Sequence, residues 1–479
     1  MKNQVQLIAY VDRFGGGALG DLRDLLRGPL AGVFGGVHLL PFFHPIDGAD
    51  AGFDPIDHER VDPRLGDWTD IATLSNDVDV VADLIVNHVS AESPQFRDFR
   101  SAGSASPHAG MFLTLGKVFA AGATEEQLLA IYRPRPGLPF TTAIVGDGER
   151  RILWTTFTPQ QIDIDVESPQ GTAYLDGILG RFQSAGVRTI RLDAVGYAIK
   201  RAGTSCFMIP ETYDFIDDLV RRARWRGMQV LVEIHAHYRQ QIQIARRVDW
   251  VYDFALPPLL LHAFHGRRAR HLAHWLEVRP RNAVTVLDTH DGIGMIDIGA
   301  DTRDGGSEAG LVPPDELAAL VDRIHDASRG ESRAATGAAA SNLDLYQVNC
   351  TYLDALGGNE RAYLAARALQ LFVPGVPQVY YVGFLAGRND MQLLAKTGVG
   401  RDINRPYYRR EDVAAALKQT LVRDQIELFR MRNTHPAFDG QFGIERVTDD
   451  AIVLLWRNGA HHARLGVDFA AGDFAIDVS

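Results

Sequence analysis

Eight short apolar runs, separated for the most part by stretches with helical spacing, constrain this chain more than any other feature. They are Val5–Val11, Gly36–Leu40, Val80–Val86, Val187–Leu192, Val230–Ile234, Trp250–Phe254, Ala283–Leu287 and Val376–Tyr381. The intervening amphipathic stretches include Tyr213–Arg226, Tyr238–Val248, Pro258–Val278 and Asn359–Phe372. Strands that alternate with helices are joined as parallel βαβ units. Eight of them predict an α/β fold of the closed (β/α)8 TIM-barrel type, with a doubly wound open sheet as the alternative. The alternation breaks at residues 87–166 and 292–354, which are rich in Gly, Pro, Ala and polar residues. Insertions of this length in a barrel build and cover the site at the strand ends. A helical region, Arg410–Arg432, precedes a tail whose segments Ala451–Leu455 and Ala463–Val467 alternate apolar and polar residues. The expected organisation is a barrel from residues 1–86, 167–291 and 355–435, two inserted domains at 87–166 and 292–354, and a short C-terminal β domain at 436–479.

The formal charge of −11 over 479 residues argues against a nucleic-acid or membrane-surface partner, since both select a basic excess. Only Cys206 and Cys350 are present, which excludes a disulfide scaffold. No stretch approaches the ~20 apolar residues of a membrane span. The first ten residues lack the long apolar region of a secretion signal. A cytoplasmic protein is expected.

Chemistry concentrates at three strand ends. The fourth run leads into Arg191-Leu192-Asp193, the fifth into Val232-Glu233, and the seventh into Asp288-Thr289-His290-Asp291. Strand ends of a barrel open onto one face, so Asp193, Glu233 and Asp291 are expected to converge. Arg191 and Asp193, two apart on a strand, share a face. A neighbouring guanidinium lowers a carboxyl pKa and keeps it ionised. Paired carboxylates at a barrel mouth suit glycoside chemistry, one as nucleophile and the other as general acid. The plain alternative is helix capping and surface ion pairing. A metal site is a further alternative, because Glu233, His235 and His237 alternate along one strand and His290 and Asp291 offer more ligands. His88 and His290, at strand ends of the same barrel, are candidates for binding sugar hydroxyls. Ile131-Tyr132-Arg133-Pro134-Arg135-Pro136-Gly137 in the first insertion reads either as a solvated basic loop or as a phosphate-binding one, arginine being suited to bidentate phosphate contact.

Several segments carry a resemblance to a known family. They are Asp47-Gly48-Ala49-Asp50-Ala51-Gly52-Phe53-Asp54, Ile85-Val86-Asn87-His88, Ile190 to Tyr197, Val232-Glu233-Ile234-His235 and Leu287 to Gly292. Trp154 to Gln161, Ala338 to Gln347 and Gly400 to Arg405 add to them. The chain resembles the α-amylase superfamily, glycoside hydrolase family 13, and within it the branch of sucrose-cleaving phosphorylases, as far as about residue 435. The resemblance implies a retaining glucosyl phosphorylase that needs no cofactor and no metal, acts on sucrose and inorganic phosphate, and forms a homodimer. It implies Asp193 as nucleophile, Glu233 as general acid/base and Asp291 as transition-state stabiliser. Asp50, His88, Arg191, His290 and Arg401 would shape the glucosyl subsite, with Phe53 as its platform and Phe157 and Tyr197 at its flank. Arg135 would bind phosphate, Tyr132 would line the mouth and His235 would assist Glu233. Asp344 and Gln347 would meet the fructosyl unit, and an acid at 344 would repel a phosphorylated fructose. Related phosphorylases of sucrose 6-phosphate, glucosyl-glycerol or glucosyl-glycerate, and a hydrolase or transferase of the same family, stay open. His237 stands where an aromatic residue is expected.

Overall fold

Strands made of apolar runs are buried on both faces, and here they close into a cylinder. The computed structural model describes residues 1–48, 50–134, 137–146, 148–301, 308–336 and 347–479. The barrel strands are β1 (Gln6–Ala9), β2 (Gly36–Leu39), β3 (Asp79–Ile85), β4 (Thr189–Asp193), β5 (Gln229–Val232), β6 (Trp250–Asp253), β7 (Ala283–Thr285) and β8 (Val376–Tyr380). Each pairs in parallel with its sequence neighbours, and β8 returns to β1 to complete the ring. All eight coincide with the apolar runs, and the open-sheet alternative falls away.

The helices between strands begin where local chemistry satisfies their free N–H groups. Asp67 starts Trp68–Ser75 with a capping box. Ser168, followed by Pro169, starts Pro169–Ser184 and accepts from the Gly171 amide. Two stretches read as single helices are each divided. The Pro258–Val278 stretch becomes Leu256–Gly266 and Arg270–Val278, because Arg267 adopts a left-handed φ of 52° and its N–H caps the Ala263 carbonyl. Arg410–Arg432 becomes Arg410–Ala416 and Thr420–Thr434. The first break follows Gly266, a helix-end signal present in the sequence, whereas the second carries neither Gly nor Pro.

Between β3 and β4 the chain builds a hairpin, Phe140–Val145 with Glu149–Trp154, and a short ladder, His88–Ser90 with Gln161–Asp163. A small apolar cluster of Leu113, Phe119, Ile131, Trp154 and Cys206 lies apart from the main core. After β7, Ile293–Gly294 pairs with Gln347–Val348, and helices Pro314–Ala327 and Glu331–Thr336 lie between them in sequence. The chain ends in a four-stranded antiparallel sheet of β9 (Gln441–Val447), β10 (Ala451–Asn458), β11 (His461–Asp468) and β12 (Asp473–Val478). The buried face of β10 and β11 carries Ile452, Leu454, Trp456, Ala463, Leu465 and Val467. Trp456 Nε1 donates to the Phe372 carbonyl, which joins this sheet to the barrel helix Glu360–Phe372. Among the described residues no helix is long and apolar enough to cross a membrane.

Candidate active site

Ladder register fixes the central charge. Arg191 of β4 stands opposite Asp83 of β3, and Leu192 stands opposite Val232 of β5. One step beyond that last pair come Asp193 and Glu233. Arg191 Nη1 donates to Asp83 Oδ1 and, at 2.8 Å, to Asp193 Oδ1. Its Nη2 lies 3.9 Å from Glu233 Oε1. One fully buried guanidinium therefore faces three carboxylates. Ala194, the next residue, is left-handed at φ 54° and turns its N–H to Glu233 Oε2 at 3.3 Å. That backbone costs about 1 kcal/mol in an alanine and persists where the surroundings hold it.

Burial pushes the Asp193 carboxyl up, Arg191 pulls it down, and Glu233 pushes it up again. The expectation that the arginine would simply lower it is revised, since desolvation is the larger effect. Asp291, at the end of the segment that follows β7, behaves differently. Burial opposes its ionisation, yet Arg401, His290 and Arg405 together hold it far below the usual carboxylate range. Arg401 Nη1 is 2.7 Å from Asp291 Oδ1, and Arg405 Nη2 is 3.6 Å from the same oxygen.

Burial lowers the His290 pKa to about 3, so this imidazole is neutral. It stacks on Phe53 with ring centroids 4.8 Å apart and planes 10° off parallel. His88, also lowered by burial, donates from Nε2 to the Phe53 carbonyl at 2.9 Å. Phe157 packs 5.3 Å from His88 and 5.2 Å from Tyr197. His235 Nδ1 contacts Asp297 Oδ2 at 2.8 Å, and its Nε2 lies 3.9 Å from Glu233 Oε1. Burial pulls the His235 pKa down, but Asp297 and Glu233 outweigh it and the net shift is upward.

These groups surround a cavity of about 490 Å³, the size of a small-ligand site. Its lining includes Asp50, Phe53, His88, Phe157, Asp193, Tyr197, Glu233, His290, Asp291, Gln347 and Arg401. Gln347 accepts from Arg401 Nη2 at 3.3 Å. Tyr132 lies beside the lining and not in it, stacked on Tyr197 at 5.9 Å and against Phe207 at 4.5 Å. Arg135 and Asp344 lie outside the described residues. His237 turns away from the mouth. Its Nε2 donates to the Ala309 carbonyl at 3.1 Å and its Nδ1 lies 3.7 Å from Glu308. The metal set Glu233, His235 and His237 is thus not gathered. Glu233, His235 and Asp291 do offer ligand atoms within 4.8 Å of one another, but Asp291 is already matched to two guanidiniums, which repel a cation there.

Some members of the site were not singled out from sequence. Asp83 anchors Arg191, and the available signal was a lone acid inside the apolar run Val80–Val86. Arg405 lies within the Gly400–Arg405 motif, where Arg401 alone drew attention. Gln161 Nε2 stands 3.4 Å from Asp50 Oδ2. Asp297, which holds His235, and Phe207 carried no signal in the sequence.

An eight-stranded parallel barrel with acids after β4, β5 and β7, gathered around one cavity, defines an enzyme of the α-amylase class. The family described as alpha amylase, catalytic domain, matches residues 32–243. A sucrose phosphorylase of Agrobacterium vitis is 60% identical, covering 100% of this chain and 98% of that protein. One of Bifidobacterium adolescentis is 55% identical over 97% of this chain and 92% of its own. The crystal structure of sucrose 6F-phosphate phosphorylase from Thermoanaerobacter thermosaccharolyticum superposes with a TM-score of 0.92 at 38% identity, covering 100% of this chain and 96% of that one. The chain belongs to the sucrose phosphorylase family of the α-amylase superfamily.

Proposed function

We propose that this enzyme transfers the glucosyl unit of sucrose to inorganic phosphate with retention, giving α-D-glucose 1-phosphate and D-fructose. The observation that carries the reading is the single guanidinium of Arg191 set against Asp193 and Glu233, two carboxylates that line the cavity. Asp193, which accepts a hydrogen bond from Arg191 at 2.8 Å, is the attacking carboxylate in this reading, and Glu233 is the proton donor. In the first step Asp193 attacks the anomeric carbon while Glu233 protonates the departing fructosyl oxygen. The C–O bond to fructose breaks as the bond to Asp193 forms. In the second step Glu233 takes a proton from phosphate, whose oxygen displaces Asp193. Two inversions return the original α configuration.

The remaining groups orient the sugar. Asp291, held ionised by Arg401 and Arg405, accepts from glucosyl hydroxyls and offsets the positive charge that develops on the ring. Phe53, backed by His290, gives an apolar face for the pyranose, and Asp50, His88 and Tyr197 complete the subsite with Phe157. His235 supports Glu233 from behind. Gln347 and Asp344 serve the fructosyl side, and Arg135 captures phosphate once fructose has left, with Tyr132 supporting that loop through Tyr197. We place the enzyme in the cytoplasm, where its two buried free cysteines stay reduced, as a homodimer.

The test is incubation with sucrose in the presence and absence of phosphate, with assay of glucose 1-phosphate and free glucose. Glucose 1-phosphate is expected to dominate when phosphate is present. Free glucose at the same rate with or without phosphate overturns the reading in favour of a hydrolase. Faster turnover of sucrose 6F-phosphate or glucosyl-glycerol than of sucrose reassigns the leaving group.

A further inference from the structure

The turn at Arg267 has a second outcome on the outer wall of the barrel. It folds Arg270–Val278 back along Leu256–Gly266 and brings His262 and His271 together, ring centroids 5.1 Å apart and planes 76° apart. Glu316, in the first turn of Pro314–Ala327 in the second insertion, points its Oε2 at both. That oxygen lies 2.9 Å from His262 Nε2 and 3.3 Å from His271 Nε2. One ligand atom from each of the three residues falls within 4.8 Å of the others.

We propose that His262, His271 and Glu316 bind a divalent transition-metal ion of the zinc class, which staples the second insertion to the outer helices of the barrel. Zinc takes imidazole nitrogen and carboxylate oxygen at about 2.0–2.2 Å, and a tetrahedral shell of that radius separates its donors by about 3.3–3.5 Å. The two nitrogen–oxygen distances are already at or slightly inside that value, so metal entry requires only a small spreading of the three side chains. Each imidazole presents Nε2 after moving its proton to Nδ1, and no proton leaves the protein. His262 is buried, while His271 and Glu316 keep 19% and 32% of their side chains exposed, which gives the ion an entrance and water a fourth coordination position. Two imidazoles and a carboxylate with one open position is a ligand set that zinc accepts. Arg323, on the same helix as Glu316, lies close enough to His262 to oppose a cation, but the carboxylate in direct contact with both rings is the stronger influence. None of these three residues lines the catalytic cavity.

The full chain is stripped with a chelator, then titrated with Zn²⁺ by calorimetry and with Co²⁺ by visible absorption. The wild type is expected to take up one ion per chain, show the intense bands of tetrahedral cobalt, and unfold several degrees higher with zinc bound. His271→Ala is expected to lose all three responses, whereas Glu233→Gln keeps them, which separates this site from the cavity cluster. Equal uptake by wild type and His271→Ala, or no uptake by the wild type, overturns the proposal. If circular dichroism shows that His271→Ala does not fold, Glu316→Gln carries the same comparison.

Discussion

The barrel mouth and the insertions around it hold their side chains by different means. Asp193, Glu233 and Arg191 sit on or just past β4 and β5, where ladder register and the next residue along each strand decide who meets whom. Tyr132 and Gln347 come from the two insertions, where Tyr132 stacks on Tyr197 and Gln347 accepts from Arg401. The first group serves both halves of the proposed reaction and cannot tell one leaving group from another. In the proposed reading the second is where fructose and phosphate are told apart. A fold that keeps bond-making on the strands and recognition on the insertions can change substrate without disturbing the chemistry.

This division can be broken by mutation, most severely at the strand ends. Asp193→Ala is expected to cut phosphorolysis by roughly 100,000-fold, the scale of losing a nucleophile, with circular dichroism unchanged. Near-normal turnover removes the nucleophile assignment. Glu233→Gln is expected to slow sucrose cleavage by roughly 1,000-fold. It should regain much of the first step with α-glucosyl fluoride, whose leaving group needs no proton. Failure of that rescue would mean Glu233 does more than supply a proton. On the insertion side, Arg135→Ala is expected to raise the KM for phosphate by about 10–100-fold, the worth of one charge-assisted contact or a bidentate pair. The KM for sucrose should change little. Equal effects on both substrates would erase the distinction between strand and insertion.

The smallest effect concerns stability. Asp288 lies past the end of β7 but faces the barrel helix, with Arg367 Nη2 3.6 Å from Oδ1. Burial raises its pKa to about 6, against the pull of Arg367. A folded-state value above the unfolded one contributes stability that is fully present below about pH 4 and is lost as pH rises through about 6. Between pH 4 and 7 the wild type is expected to lose about 2–3 kcal/mol relative to Asp288→Asn. Denaturant melts of both proteins across that range measure it, and parallel slopes would show that Asp288 ionises without penalty.

The sequence made the barrel legible because each strand is a continuous apolar run, and a parallel strand covered on both faces has little choice of composition. Asp193, Glu233 and Asp291 were legible because each lies within a few residues of the end of such a run. Asp83 was hidden for the converse reason: a charge inside an apolar run looks like an interruption until Arg191 is seen opposite it. Gly266 marked the helix break at Arg267, but the break after Ala416 has neither glycine nor proline, so nothing local announced it. The alternative metal set included His237 because strand alternation was carried past Val232, where the ladder ends and His237 meets Ala309 and Glu308 instead.

Arg191 has one more consequence. In the proposed reaction the ester formed on Asp193 erases a negative charge next to a cation that cannot move, because Asp83 anchors it from below. Glu233 has by then given its proton to fructose, so the net charge of the cavity is unchanged and the negative charge passes from Asp193 to Glu233, 3.9 Å from the same guanidinium. The carboxylate left behind is thus the one that takes the proton of phosphate in the second step. In the resting enzyme Glu233 holds its proton and cannot serve as a base, so the order of the two half-reactions is set by where that one proton sits.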